Sequence, residues 1–258
     1  MTAHALRPLS VGEILDVSFA LYREHFATLA AIVAVSSGLP LLMNVYIGAS
    51  GGWTRHMGVL PLYFILTVVL GSIGAAATVY VVSESYLGRS VTAGDSLTRA
   101  VPLIGRLVVY SLLFALIVAL GTILLIVPGV ILACGMMLAT PALVLEAPLS
   151  ATGALRRSWN LTRGARGRMF ALALVFLVLI YIPIAGTVFV LSIVGGGLAA
   201  LAGGEASTTT VVVSAVAGIV QMLIYPFLYC VITVAYYDLR VRKEGFDLEV
   251  LASTLHAA

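Results

Sequence analysis

The chain has 258 residues, 61% of them hydrophobic and only 10% charged. An ordinary soluble domain carries about 25% charged residues, so this chain cannot cover a water-facing surface, and its mean hydropathy of +1.13 agrees. Disorder, collagen and a disulfide scaffold are excluded too, leaving one polytopic membrane domain.

Charges punctuate the sequence and mark the crossings. None falls between Glu24 and Arg55, Arg55 and Glu84, Arg106 and Glu146, Arg168 and Glu205, or Glu205 and Asp238. A hydrocarbon core of roughly 30 Å needs about 20 helical residues. The gap from Arg106 to Glu146 would make a single helix of about 60 Å, so it holds two crossings, with Pro128-Gly129 as the break. The pattern predicts six transmembrane helices, at 27–47, 59–82, 107–127, 129–145, 169–194 and 210–237. The fourth is short and contains Pro141, which predicts a kink, a tilt or local thinning of the bilayer. No sustained period-2 alternation supports strands.

Six crossings put both termini on one side. Thirteen of the 14 Lys and Arg residues then share that side, and only Arg55 lies across the membrane. The positive-inside rule makes the crowded side cytoplasmic. The first apolar run follows a charged stretch and is long enough to span, so no cleavable signal is expected. The expected location is the cytoplasmic (inner) membrane, multi-pass, with both termini cytoplasmic. The net charge of +3 is explained by this sorting, and no nucleic-acid partner is expected. Cys134 and Cys230 lie in apolar stretches and read as buried thiols, with a disulfide as the alternative.

The segments before the odd-numbered spans resemble one another. Aligned on Ser10, Thr92 and Ser150, each opens with a helix N-cap residue. Glu13 and Asp95 stand where a capping box places its acid, and Gly153 stands there in the third copy. Leu15, Leu97 and Leu155 follow, then the small residues Ser18, Ala100 and Ser158, then Leu21, Leu103 and Leu161. These read as short amphipathic helices lying in the membrane interface. Each precedes a two-helix hairpin, and each even span ends on an acid. The fold expected is therefore an all-α integral membrane protein of three hairpins in a pseudo-threefold repeat. Its units are approximately 10–84, 92–146 and 150–238, followed by a cytoplasmic tail at 239–258.

The acids Glu84, Glu146 and Asp238 invite two readings. Ionisable groups in a membrane bind cations or relay protons; at span ends they also pair with arginines and fix the rim of a bundle. Their place at the ends favours pairing, with Arg106 and Arg168, which open their spans, as partners or snorkelling side chains. Arg156, Arg157, Arg163 and Arg166 cluster around Trp159 and suit anionic lipid headgroups, each charge worth about 1 kcal/mol near the surface. Trp53, Arg55 and His56 form a polar cluster on the far side and read as an interface anchor. Small residues at 71–77 allow close helix contact, and Gly195-Gly196-Gly197 is expected to end the fifth span. Pro40, Pro183 and Pro226 fall inside spans, as kinks around a cavity or as packing features. His4, His25, His56 and His256 have no ligand-spaced companions. No nucleophile elbow, phosphate loop or dinucleotide fingerprint occurs, so no catalytic residue, cofactor or metal is expected.

Three stretches carry a family resemblance. They are 6–21 (LRPLSVGEILDVSFAL) with Tyr22-Arg23, 142–163 (ALVLEAPLSATGALRRSWNLTR) and 236–251 (YYDLRVRKEGFDLEVL). Together they resemble the bacterial membrane domain of glycerophosphoryl diester phosphodiesterase, a family related to six-span proteins of the YciC type. The resemblance covers nearly the whole chain and implies a six-helix integral membrane domain. The phosphodiesterase activity belongs to a separate soluble barrel, for which 258 residues leave no room, so it is not expected here. The function expected is a non-enzymatic scaffold or accessory subunit touching membrane lipids or other membrane-protein subunits. The alternative is a transporter or lipid-handling protein with a cavity in its bundle.

Overall fold

The computed structural model describes residues 7–146, 148–202 and 206–248. Glu205, His4, His256 and the tail beyond Leu248 lie outside the described residues. Among those described, every regular element is helical. In chain order they are α1 (Val11–Glu24), α2 (Phe26–Ala49), α3 (Leu60–Tyr86), α4 (Ala93–Ala100), α5 (Ile104–Leu124) and α6 (Ile126–Met136). There follow α7 (Ala139–Leu145), α8 (Ala151–Leu161), α9 (Arg166–Ala202) and α10 (Ala206–Glu244), and short 3-10 turns open α3 and α5.

Six helical stretches are long and apolar enough to cross a membrane. They are Phe26–Ala49, Met57–Tyr86, Ala93–Leu124, Ile126–Leu145, Arg166–Gly197 and Val211–Glu244. Each contains or overlaps a span expected from the charge gaps. α2 packs on α3, α5 on α6 and α9 on α10, while α10 also packs on α2 and α3.

The short helices start where the sequence says they should. Ser10 Oγ accepts from Glu13 N–H at 3.3 Å, and the Glu13 carboxylate accepts from Ser10 N–H at 2.7 Å, so both halves of a capping box are made. Thr92 caps Asp95 N–H at 3.1 Å and Ser150 caps Gly153 N–H at 3.1 Å. Each cap satisfies an amide that the first helical turn leaves unpaired. Between α2 and α3, Gly51 and Gly52 adopt φ of 109° and 81°, a region where a Cβ is strained.

Three boundaries differ from the sequence expectation. The break between the third and fourth spans sits at Leu125, which is extended, while Pro128 lies inside the first turn of α6. An amide in that turn has no helical partner to lose, so proline is tolerated there. Gly129 instead lets α6 press against α5, since a Cβ there would collide with Thr122. Similarly, Gly195-Gly196-Gly197 does not end its helix: α9 runs on to Ala202. Gly195 is where Thr209 of α10 approaches, its hydroxyl donating to the Gly195 carbonyl at 3.2 Å. Finally, α10 extends to Glu244, so the first residues of the expected tail are helical.

The fourth span is interrupted rather than bent. α6 ends at Met136 and α7 starts at Ala139, placing Pro141 in the first turn of α7. The interruption frees backbone groups, and α8 takes them up. Leu138 N–H donates to Ser158 Oγ at 3.2 Å. Ser158 Oγ and Thr162 Oγ1 donate to the Gly135 carbonyl at 2.9 Å and 3.0 Å.

The packed core gathers at one end of the bundle. It holds the last turns of α3 (Val79, Val81, Val82, Tyr86), the stretch Cys230–Tyr237 of α10, most of α7, and the inward faces of α1, α4 and α8. At the opposite end the helices present apolar side chains outward, among them Ile123, Leu124 and Ile126 at the α5–α6 turn and Phe189 and Ile193 on α9. Cys134 and Cys230 are both buried and free.

Candidate functional site: a charged rim and an interhelical cavity

The ionisable side chains concentrate at the end where the core is densest. Asp238, near the end of α10, has a fully buried side chain. Its carboxylate meets Arg168 of α9 at 2.9 Å and Arg242 one turn on at 3.1 Å. It also accepts the Leu9 amide, just before α1, at 2.7 Å. Both arginines donate in turn to the Leu9 carbonyl. One buried acid therefore ties the start of the chain to its last two long helices.

Glu146, at the end of α7, accepts Arg157 Nε from α8 through both oxygens, at 2.9 and 2.8 Å, and the Tyr236 hydroxyl at 2.5 Å. Arg157 turns its other two nitrogens to Glu244 of α10, at 2.5 and 2.7 Å. This bidentate pairing raises the Arg157 pKa, with Glu244 the larger cause and Glu146 adding to it against the cost of burial. Glu84, at the end of α3, pairs with Arg89 at 2.6 Å and lies 3.8 Å from Arg99 of α4.

The arginines divide into two groups. Arg157 and Arg168 are taken up in the pairs above. Arg106 donates to the Leu149 carbonyl at 3.1 Å, pinning the segment that leads into α8. Arg156 and Arg163 are exposed, and Arg166 lays its guanidinium 3.7 Å from the centroid of the Trp159 ring. Tyr236, Glu244 and Arg242 join the rim, although the sequence reading, in which all three fall within the 236–251 stretch, assigned them no site role. The four-residue spacings from Asp238 to Arg242 and from Arg240 to Glu244 were the available signal.

The Ser10–Glu13 cap carries a pH signature. The Ser10 amide first, and Arg7 second, hold the Glu13 carboxyl down at about 2. The unfolded value is near 4.3. A depressed acid contributes stability above its unfolded pKa, and that contribution fades as pH falls towards 2. Glu13→Gln is therefore expected to be less stable than wild type at pH 6, the gap closing below pH 3. Detergent-micelle unfolding curves at the two pH values check this.

A second feature lies in the other half of the bundle. α2, α3 and α10 enclose a cavity of about 470 Å³, within the range of small-molecule pockets. Its lining on α2 runs from Val33 to Asn44, a rise of roughly 16 Å. Close contacts frame it. A Cβ on Gly74 of α3 would strike Ser36 of α2, and one on Gly218 of α10 would strike Leu41. Pro40 and Pro226 line the space between, where a proline removes a rung from each helix ladder. The polar lining comprises Ser36, Ser37, Asn44, Thr67, Thr78, Ser214 and Gln221, with Tyr63, Tyr225 and Tyr229. Asn44 and Gln221 are the only carboxamides within the expected spans, a signal the sequence reading left unused. Pro183 does not line this space.

Among the described residues, no group of three or more His, Cys, Asp or Glu side chains is placed to hold a metal ion. His56 bonds locally to the Gly52 carbonyl and Ser50, and Trp53 packs edge-on against Tyr63 at 4.7 Å. No family model, curated protein or solved structure matches this chain.

Proposed function

We propose that this chain is a bacterial inner-membrane protein, both termini cytoplasmic, that acts as a non-catalytic membrane module holding anionic lipid at its rim and offering a platform to other membrane-protein subunits. The observation that carries this reading is the trio Arg156, Arg163 and Arg166, the first two exposed and the third partly so. Among the described residues, these side chains stay outside the acid pairs, at the end of the bundle where Arg157 and Arg168 are consumed by them. The guanidinium of Arg166 over Trp159 places charge and aromatic ring together, the combination suited to a headgroup layer.

The same reading takes the architecture as three units, α1–α3, α4–α7 and α8–α10, each a short interfacial helix followed by a hairpin. Several features support it. The three N-caps bond three residues on, and Ser18, Ala100 and Ser158 are all fully buried where close packing needs a small residue. The acid closing each unit reaches the start of the next: Glu84 to Arg99 of α4, Glu146 to Arg157 of α8, and Asp238 back to Leu9 before α1. The resemblance to the membrane domain of glycerophosphoryl diester phosphodiesterase belongs to this proposal as a relationship of membrane architecture alone.

Two measurements test it. Single cysteines at the exposed Gly12 and Leu248 are expected to label from the cytoplasm, and one at the exposed Thr54 from the other side; any other sorting overturns the orientation. Lipid exchange should show a preference for phosphatidylglycerol over phosphatidylcholine. Changing Arg156, Arg163 and Arg166 to Gln together is expected to remove most of it, since each charge is worth about 1 kcal/mol near the surface. An unchanged preference overturns the headgroup reading.

A further inference from the structure

We propose that the cavity between α2, α3 and α10 is a binding site for the polar end of an uncharged, oxygen-rich glycerolipid, of the diacylglycerol class. The proposal goes beyond the rim reading and does not depend on it. The first argument is charge. Among the described residues, no Asp, Glu, Lys, Arg or His lines the cavity, so a phosphate or ammonium group would enter without a counter-charge, which a low-dielectric site disfavours strongly. A neutral ligand meets no such barrier.

The second argument is unspent hydrogen bonding. Serine and threonine in helices ordinarily donate back to the carbonyl four residues earlier, as Thr67 does to Tyr63 at 2.8 Å. Thr78 departs from this. It is 1% exposed and lines the cavity, yet its hydroxyl has no hydrogen bond among the described residues. The side chains of Ser37, Asn44 and Tyr229 likewise have none there, and Ser36 has only a 3.5 Å approach to the Val33 carbonyl. Polar groups set among apolar helices without partners are costly. A hydroxyl or ester-bearing ligand supplies both the acceptors and the donor that these side chains lack.

Shape gives the third. Thr67, Gly71 and Tyr225 are exposed at the edge of the cavity, so it opens sideways between α3 and α10. In a membrane-spanning bundle that direction is hydrocarbon, where acyl chains would remain. The polar lining lies at two depths, Asn44 and Gln221 nearer one end and Ser36, Thr78 and Tyr229 deeper. A glycerolipid with its hydroxyl and two esters spreads oxygens over such a length; a simple long-chain alcohol reaches one level only.

The test uses the full chain in phosphatidylcholine nanodiscs and a diacylglycerol with a fluorophore on one acyl chain. Saturable binding is expected, displaced by unlabelled dioleoylglycerol but not by phosphatidic acid or a long-chain alcohol. Thr78→Val and Asn44→Leu are each expected to weaken it about tenfold, the scale of a buried hydrogen bond lost, while Thr78→Ser holds wild-type affinity. Size-exclusion elution and circular dichroism check that each variant is folded. The triple arginine variant should bind normally, which separates this site from the rim. Binding that does not saturate, equal displacement by phosphatidic acid or the alcohol, or wild-type affinity in folded Thr78→Val would each overturn the proposal.

Discussion

Asp238→Ala is expected to be the most damaging single change in the rim, lowering stability by about 3–5 kcal/mol. The reason is asymmetry. The carboxylate is fully buried and faces Arg168, whose side chain is 18% exposed, and Arg242. Removing the acid leaves those guanidinium groups partly buried without their counter-charge. It also strips the Leu9 amide of its acceptor. An ion pair of this kind adds little over an apolar replacement, but breaking it on one side is expensive. Asp238→Leu combined with Arg168→Met and Arg242→Met should therefore lose much less than Asp238→Leu alone. The amide of Leu9 remains a residual cost. Reversible unfolding in mixed micelles measures both, and equal losses for single and triple variants would remove charge burial as the cause.

The second large effect is expected at the interruption of the fourth span. Ser158→Val should destabilise by about 1–3 kcal/mol. It leaves the Leu138 amide without an acceptor and removes one of the two hydroxyls on the Gly135 carbonyl. Gly135→Ala should cost a similar amount, about 1–3 kcal/mol, by overpacking. A Cβ there meets the Trp159 ring, which is rigid and also carries the Arg166 guanidinium 3.7 Å from its centroid. Ser158→Thr keeps the hydroxyl but adds a methyl at a fully buried position, so it should fall between. Unfolding curves in micelles rank the three, and a silent Ser158→Val would mean that α7 draws its support from elsewhere.

Much of the fold was legible because burial in hydrocarbon is recorded residue by residue. A helix that crosses lipid must carry about 20 uncharged residues in a row, and the gaps from Glu24 to Arg55, Arg55 to Glu84 and Arg106 to Glu146 show this directly. The N-caps were legible for a related reason: Ser10 and Glu13 satisfy each other over three residues, with no distant partner required. The Pro128 turn was misplaced because a proline reads as a breaker both before a helix and within its first turn, and only the extended Leu125 shows which applies. Gly195 likewise looks the same whether it ends a helix or receives Thr209 from a neighbour.

By itself, then, the sequence determined that this is a chain of six apolar helical stretches with its cations gathered outside them, because solvation by lipid or water is a property of each segment alone. Tertiary structure decided which charges meet. Asp238 finds Leu9 across 229 positions, and Arg157, grouped by sequence with the headgroup arginines, joins Glu146 and Glu244 instead. It also decided that α2, α3 and α10 separate around a partly polar cavity. Those outcomes depend on how helix surfaces fit and where they fail to fit, a relation between segments that no single segment records.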